Sequence, residues 1–327
     1  AGEMLYRPRR GEPSRLAVLN CFVPNSGDAW QYTLDSLRRY FDDIPAPSEL
    51  PKELAGSPSQ PLPPADAEPP PLAVERLGDY LETARLLGLR TAELHLALSD
   101  AAGDPRFAPM DFSELYQRSM YQSLRNRANE SLYLLRRRLK DLPEAHRPLA
   151  ETLLGRNEEI QKQLRALIGR KLSGRRIRCH GDYHLKQLLY TGSDFQIFDF
   201  EGPPAQSLAE RRIKRSPLHD VAGMLRSFDY AAYTILLGRV GVTRAEDASR
   251  LEPWARFWSR WVSAAFLKSY LAKMGGNGIL PATREEMNLL LRALLADRAL
   301  GEIQGELETH PEWTVIPMKG LLRLLEP

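Results

Sequence analysis

Cysteine is nearly absent from this chain: Cys21 and Cys179 are the only two among 327 residues. Two thiols make neither a disulfide scaffold nor a zinc site, and their scarcity suits a reducing compartment, so a cytoplasmic location is expected. Long apolar runs are missing too. None approaches the ~20 residues that a membrane span needs, and no membrane partner is expected. Neither sign of charge is in marked excess: 45 Lys+Arg against 42 Asp+Glu leave +3. That balance does not argue for a nucleic-acid partner, which asks for a concentrated basic stripe. An initiating methionine is lacking, since the chain starts at Ala1, and no charged-then-apolar signal organisation follows it. Ala1 therefore reads as a cut end. What remains, 43% hydrophobic and 27% charged residues, is a globular composition that excludes disordered or collagen-like chains. The length suffices for one large core or two smaller ones.

Along the chain, residues 15–23 (RLAVLNCFV) read as a strand ended by Pro24, because the run is short and rich in Val, Cys and Phe. Asn25-Ser26-Gly27-Asp28 reads as a turn and helix cap, followed by Trp30, Leu34, Leu37 and Phe41 at helical spacing. Residues 45–71 hold ten prolines, a density that no helix or central strand survives, and they are expected to form an extended insertion. Helices are predicted over 72–100, 111–140 and 146–171, and again from about His219 to the end, with breaks near 238–246 and 275–281. Between them, 175–179, 187–190 and 195–200 read as strands around a loop. Trp254, Trp258 and Trp261 recur at spacings of four and three, the pattern of a buried helix face rather than of a sugar platform.

The polar residues of that central region carry the chemistry. The loop His180-Gly181-Asp182-Tyr183-His184-Leu185-Lys186-Gln187 places Asp and Gln five residues apart, and Asp199 follows seventeen residues after Asp182. Phosphoryl transfer needs a carboxylate at the attacking hydroxyl, and Mg²⁺ takes oxygen ligands from one or two carboxylates plus phosphates. Kinase catalytic loops place Asp and Asn five residues apart, with a metal-binding Asp on the next hairpin arm. Here Gln stands for Asn. Singly, Asp182 and Asp199 read as turn and strand-end residues; together, at this spacing, they point to phosphoryl transfer. A zinc site at His180 and His184 lacks the HExxH helical context, and no nucleophile elbow supports a hydrolase.

Six segments add a resemblance: FVPNSGDAWQYTLD (22–35), LGLRTAELHLAL (87–98), CHGDYHLKQ (179–187), FDFEG (198–202), KRSPLHDVAGMLRSFDYAA (214–232) and HPEWTVIPMKGL (310–321). In this order the chain resembles the aminoglycoside-phosphotransferase-like kinases, and within them the bacterial maltokinases. The resemblance implies an α+β, mostly α fold: the C-terminal lobe of a protein-kinase-like architecture. Residues 1–24 would be the last strand or strands of the N-terminal lobe and the hinge, and 25–327 the helical lobe, with catalytic loop and hairpin at 175–202.

The resemblance further implies ATP- and Mg²⁺-dependent phosphorylation of maltose at its anomeric hydroxyl, within trehalose and glycogen metabolism. Trehalose synthase would be a fused or complexed partner. Asp182 would be the catalytic base, and Gln187 and Asp199 would hold Mg²⁺. Phe22-Val23-Pro24 would receive adenine; His180, Glu201, His310 and Trp313 would meet the sugar; Asp220 would brace the catalytic loop. Two departures set further expectations. Only Gly2 and Gly11 precede residue 22, so no glycine-rich phosphate loop is present and this chain alone is expected to phosphorylate poorly. Near the C-terminus the family pattern has two tyrosines and an arginine where this chain has Gly301, Gly305 and His310. Glucosamine or another sugar is the alternative acceptor, and a non-catalytic docking lobe is the remaining alternative.

Overall fold

The computed structural model describes residues 2–9, 13–44, 51, 54, 68–204, 206–240 and 245–326. Strands β1 (Gly2–Tyr6) and β2 (Ser14–Leu19) form an antiparallel hairpin with an irregularity between Met4 and Leu5. The strand expected over 15–23 thus stops at Leu19 and has a partner that the residue pattern alone did not reveal. Helix α1 (Ala29–Asp42) begins at Asp28, whose carboxylate accepts the Gln31 amide at 2.8 Å, satisfying one of the free N–H groups at the helix start. Leu34, Leu37 and Phe41 are its buried stripe.

Most of the proline-rich insertion lies outside the described residues. Its last proline opens α2 (Pro71–Leu98), at the first helical position, where the missing N–H removes no intrahelical bond. There follow β3 (Met110–Asp111), α3 (Glu114–Arg137), α4 (Arg147–Gly155) and α5 (Asn157–Arg165). The single helix expected over 146–171 is broken at Arg156, which ends one helix and starts the next.

The central region also differs from expectation. Strand β4 (Arg175–Arg176) pairs with β3 rather than with the strand after the loop, and Ile177 bridges to Arg215. The true hairpin is β5 (Leu188–Tyr190) with β6 (Phe195–Ile197), in the register Leu188 to Ile197. The second arm ends before Phe198. Asp199 has φ +62°, a left-handed conformation that cannot continue an extended strand.

The chain ends in α6 (Leu208–Arg211), α7 (Leu218–Val240), α8 (Ala245–Met274), α9 (Arg284–Thr309) and α10 (Val315–Leu324). Helices α2, α7, α8 and α9 build the main core. Trp258 is enclosed there, its ring 4.9 Å from Tyr80 and 6.3 Å from Phe228. Trp254 and Trp261 are buried as well, so the three tryptophans are core. No described helix is long and apolar enough to cross a membrane.

Candidate active site

The loop from Cys179 to Gln187 is held by its backbone. Asp220, completely buried in the first turn of α7, accepts the His180 amide at 2.8 Å and the Gly181 amide at 3.0 Å. His95 Nε2 lies 3.1 Å from the same carboxylate. Burial alone would raise the Asp220 pKa; the bonds it receives from His219 and His95 hold it well below the usual carboxylate range. Arg298 of α9 donates to the Gly181 carbonyl at 3.2 Å, and Ser227 Oγ accepts the Leu185 amide at 3.1 Å. Helices α7 and α9 therefore fix the stretch that carries Asp182.

Gln187 immediately precedes β5, and its carbonyl accepts the Phe198 amide at 3.1 Å. This bond extends the β5–β6 pairing and sets the Gln187 backbone beside Phe198, one residue before Asp199. Among the described residues neither the Gln187 nor the Asp199 side chain has a hydrogen-bond partner. An amide oxygen and a carboxylate form the hard oxygen set that Mg²⁺ prefers. The left-handed Asp199 costs of order 1–3 kcal/mol, and such strain clusters at functional sites. Among the described residues no group of three or more His, Cys, Asp or Glu that could hold a metal is found.

Phe22-Val23-Pro24 leads into a segment pinned to the same hairpin. Ser26 N–H donates to the Tyr190 carbonyl at 2.8 Å and Tyr190 N–H to the Gly27 carbonyl at 2.9 Å. Phe22 is 84% exposed, and the Val23 carbonyl accepts Asn25 Nδ2 at 2.9 Å.

An open cleft of about 850 Å³ lies over Asp182, between the 179–187 loop, α7 and α9, with Trp30 and Trp313 on its walls. His184 Nδ1 accepts the Lys186 amide at 3.3 Å, so its Nε2 faces Asp182 Oδ2, 3.9 Å away. Burial pushes the pKa values of His184 and His219 below the ordinary histidine range. The wall opposite the loop is charged but largely paired: Arg226 with Glu302 at 2.6 Å, Arg127 with Asp297 at 2.7 Å. Glu306 differs. Its Oε1 accepts the Tyr230 hydroxyl at 2.8 Å, while its buried Oε2 has no hydrogen-bond partner and lies 3.7 Å from His310 Nδ1.

With this geometry in view, the model of the phosphotransferase enzyme family matches residues 37–209. The chain belongs to this family. A curated relative, glucosamine kinase from Streptacidiphilus jiangxiensis, is 24% identical over 317 residues, which are 96% of this chain and 58% of that protein. Among solved structures, glucosamine kinase in complex with glucosamine, ADP and inorganic phosphate superposes with a TM-score of 0.70 at 21% identity, covering 96% of this chain and 61% of that one. Crystal form B of glucosamine kinase gives 0.67 at 20% identity, covering 93% of this chain and 60% of that one. These structures share the mostly helical kinase-like fold.

The family match spans Asp182, Gln187 and Asp199 and ends before α7 and α9. His310 and Trp313 line the cleft; His180 and Glu201 do not. Both were expected at the sugar. The His180 ring is instead buried between Tyr183 and Phe200, 5.4 and 4.9 Å away, and its Nε2 donates to the Phe198 carbonyl at 2.8 Å. It ties the loop to the Asp199 turn. Glu201 contributes a carbonyl to Arg211 at 3.2 Å. Arg211 and Lys214 likewise spend their charges on carbonyls, Lys214 on that of Ala108. Arg298, Glu302 and Glu306 were not expected as site residues. Their signal was a spacing of four and four, one stripe of α9.

Proposed function

We propose that the protein is an ATP-dependent sugar kinase whose acceptor is an amino sugar of the glucosamine type. The observation that carries this reading is the Glu306 Oε2 atom on the wall of the cleft that contains Asp182, buried, without a hydrogen-bond partner and 3.7 Å from His310 Nδ1. A buried carboxylate oxygen without a partner is costly, and a substrate ammonium offsets that cost. A neutral sugar offers only a hydroxyl there. The glucosamine kinases to which the chain is similar support the same acceptor.

In this reading the acceptor sugar lies between Trp30 and Trp313, its ammonium at Glu306 and its reacting hydroxyl at Asp182. The hydroxyl oxygen attacks the γ-phosphorus of ATP, the bond from that phosphorus to the ADP oxygen breaks, and the hydroxyl proton passes to the Asp182 carboxylate. Positioning and electrostatics supply most of such catalysis. Gln187 and Asp199 would hold Mg²⁺, which neutralises charge on the phosphates. Phe22-Val23-Pro24 would offer its backbone to adenine.

A second reading keeps maltose as acceptor, with trehalose synthase as partner and a cytoplasmic location. The volume of about 850 Å³ and the two tryptophan walls favour it, since they leave room for a second sugar ring.

An acceptor panel with Mg·ATP separates the readings. Glucosamine is expected to be phosphorylated in preference to glucose and maltose. Glu306→Gln should lower kcat/KM for glucosamine about 30-fold or more, the scale of truncating one partner of a buried charge pair, and leave glucose nearly unchanged. Asp182→Asn should abolish transfer to every sugar. Full transfer by Asp182→Asn overturns the mechanism, and a preference for maltose overturns the amino-sugar acceptor.

A further inference from the structure

The segment LGLRTAELHLAL lies on α2, outside the cleft, and none of its residues has a role in the chemistry above. Its side chains nevertheless converge on the residues either side of Asp182. Thr91 and His95 are four apart and share one face of the helix. Both are completely buried.

His95 reaches the residues before Asp182. Its Nε2 lies 3.1 Å from Asp220 Oδ2 and its Nδ1 lies 2.9 Å from the Tyr270 hydroxyl. A carboxylate only accepts, so Nε2 carries the proton. The same carboxylate also accepts the His180 and Gly181 amides, at 2.8 and 3.0 Å, and His219 Nδ1 lies 3.7 Å from its Oδ1. His95 thus orients the acceptor that sets the peptide units before Asp182. Gly181 has φ +91°, a conformation open to glycine without steric cost, so the bonds to Asp220 select it from the several that glycine can adopt.

Thr91 reaches the residue after Asp182. Its hydroxyl donates to the Leu87 carbonyl at 2.7 Å and lies 2.8 Å from the Tyr183 hydroxyl. With the Thr91 proton committed to Leu87, Tyr183 is the donor. The preceding helix residue, Arg90, completes the contact with the hairpin: Nε and Nη2 donate to the two Asp194 oxygens at 2.8 and 2.7 Å. Asp194 sits in the turn between β5 and β6, the hairpin that joins Gln187 to Asp199.

We propose that Thr91 and His95 are positioning residues for Asp182, one tethering Tyr183 directly and the other setting Gly181 through Asp220. This rests on the kinase reading, but the tether is a property of the loop and is readable without turnover. A small shift of a reacting carboxylate costs rate rather than ground-state affinity. Thr91→Val and His95→Phe are therefore each expected to lower kcat about 10- to 100-fold, while KM for the sugar stays within about two-fold. His95→Gln keeps a donor toward Asp220 and an acceptor toward Tyr270, and should restore most of kcat.

Amide hydrogen exchange on the same variants supplies the second arm. In His95→Phe, exchange should rise in the 180–187 segment and stay at the wild-type rate in α9 and in α3. A rise throughout the molecule would show a general loss of stability and overturn the positioning role. So would unchanged exchange at 180–187, or a KM that rises while kcat holds. Selective exchange in a protein that phosphorylates no sugar would overturn the functional reading and support the tether.

Discussion

Arg226 and Glu302 meet through three contacts: Arg226 Nε lies 3.2 and 3.0 Å from the two Glu302 oxygens and Nη2 lies 2.6 Å from Oε2. Arg226 Nη1 continues to Asp229 Oδ2 at 2.7 Å, and Arg323 of α10 takes the same oxygen at 2.5 Å. Burial opposes the Arg226 charge, and Glu302 and Asp229 more than offset it, so its pKa stands above the ordinary value. The cleft wall is thereby wired to the C-terminal helix.

Removing the cation should therefore cost more than it would at a surface. Arg226→Met strands Glu302 while Asp229 keeps Arg323, and unfolding stability should fall by about 3–5 kcal/mol. Urea titration measures it. The double variant Arg226→Met, Glu302→Leu should recover part of the loss, because one stranded carboxylate goes with its partner. A single-variant loss below about 1 kcal/mol would show that the pair contributes no more than an exposed one.

The approach of α7 to the 179–187 loop leaves no room for a side chain at Gly223. A Cβ there would lie 2.4 Å from the Tyr183 carbonyl oxygen. Gly223→Ala is expected to cost about 1–3 kcal/mol through overpacking and to push the loop away from α7, lowering turnover. Gly305→Ala is the counterpart. Its Cβ meets nothing within 4 Å, and the gain in helix propensity should raise stability by up to about 1 kcal/mol. Thermal melts of both variants should shift in opposite directions; equal shifts would contradict the packing argument.

Stability should fall as pH drops through the ordinary histidine range. His219 and His184 have folded-state pKa values below normal, chiefly because burial disfavours their charged forms. Below about pH 6.5 the unfolded chain binds protons on these groups that the folded chain does not, so the unfolding free energy decreases with falling pH. Asp220 adds the same sign lower down, because its depressed pKa favours the fold above the ordinary Asp range and that contribution is lost as pH falls through the folded-state pKa. Urea midpoints at pH 7.5 and 5.5 measure the histidine part. A midpoint that rises on acidification would contradict the buried, uncharged state of both rings.

Some of this architecture follows from neighbours in sequence. Asp28 caps α1, and the Trp254, Trp258 and Trp261 stripe lies in the core, because helix start and apolar period are local properties. The hairpin could not be delimited in the same way. Arg175–Arg176 reads as a strand beside the loop, but its partner is Met110–Asp111, some sixty-five residues back, and no local pattern names a distant partner. The His180 side chain shows the same limit. The family resemblance implies a sugar contact for it, whereas its actual partner is the Phe198 carbonyl, brought near by the hairpin that the Gln187–Phe198 bond extends.

The sequence by itself determined the chemistry on offer: a carboxylate, an amide and a second carboxylate at the spacings of 182, 187 and 199, carried on one loop and one hairpin. Such a set is close in sequence and needs only short-range turns to assemble. Tertiary structure alone decided what faces it. Packing of α7 and α9 against the loop brings Arg226, Arg298, Glu302 and Glu306 to one cleft from two separate helices. It also decided that Glu306 Oε2 is left without a hydrogen bond. Charges on helices pair or stay free according to which surfaces the apolar core presses together, and that selection is made by the whole fold.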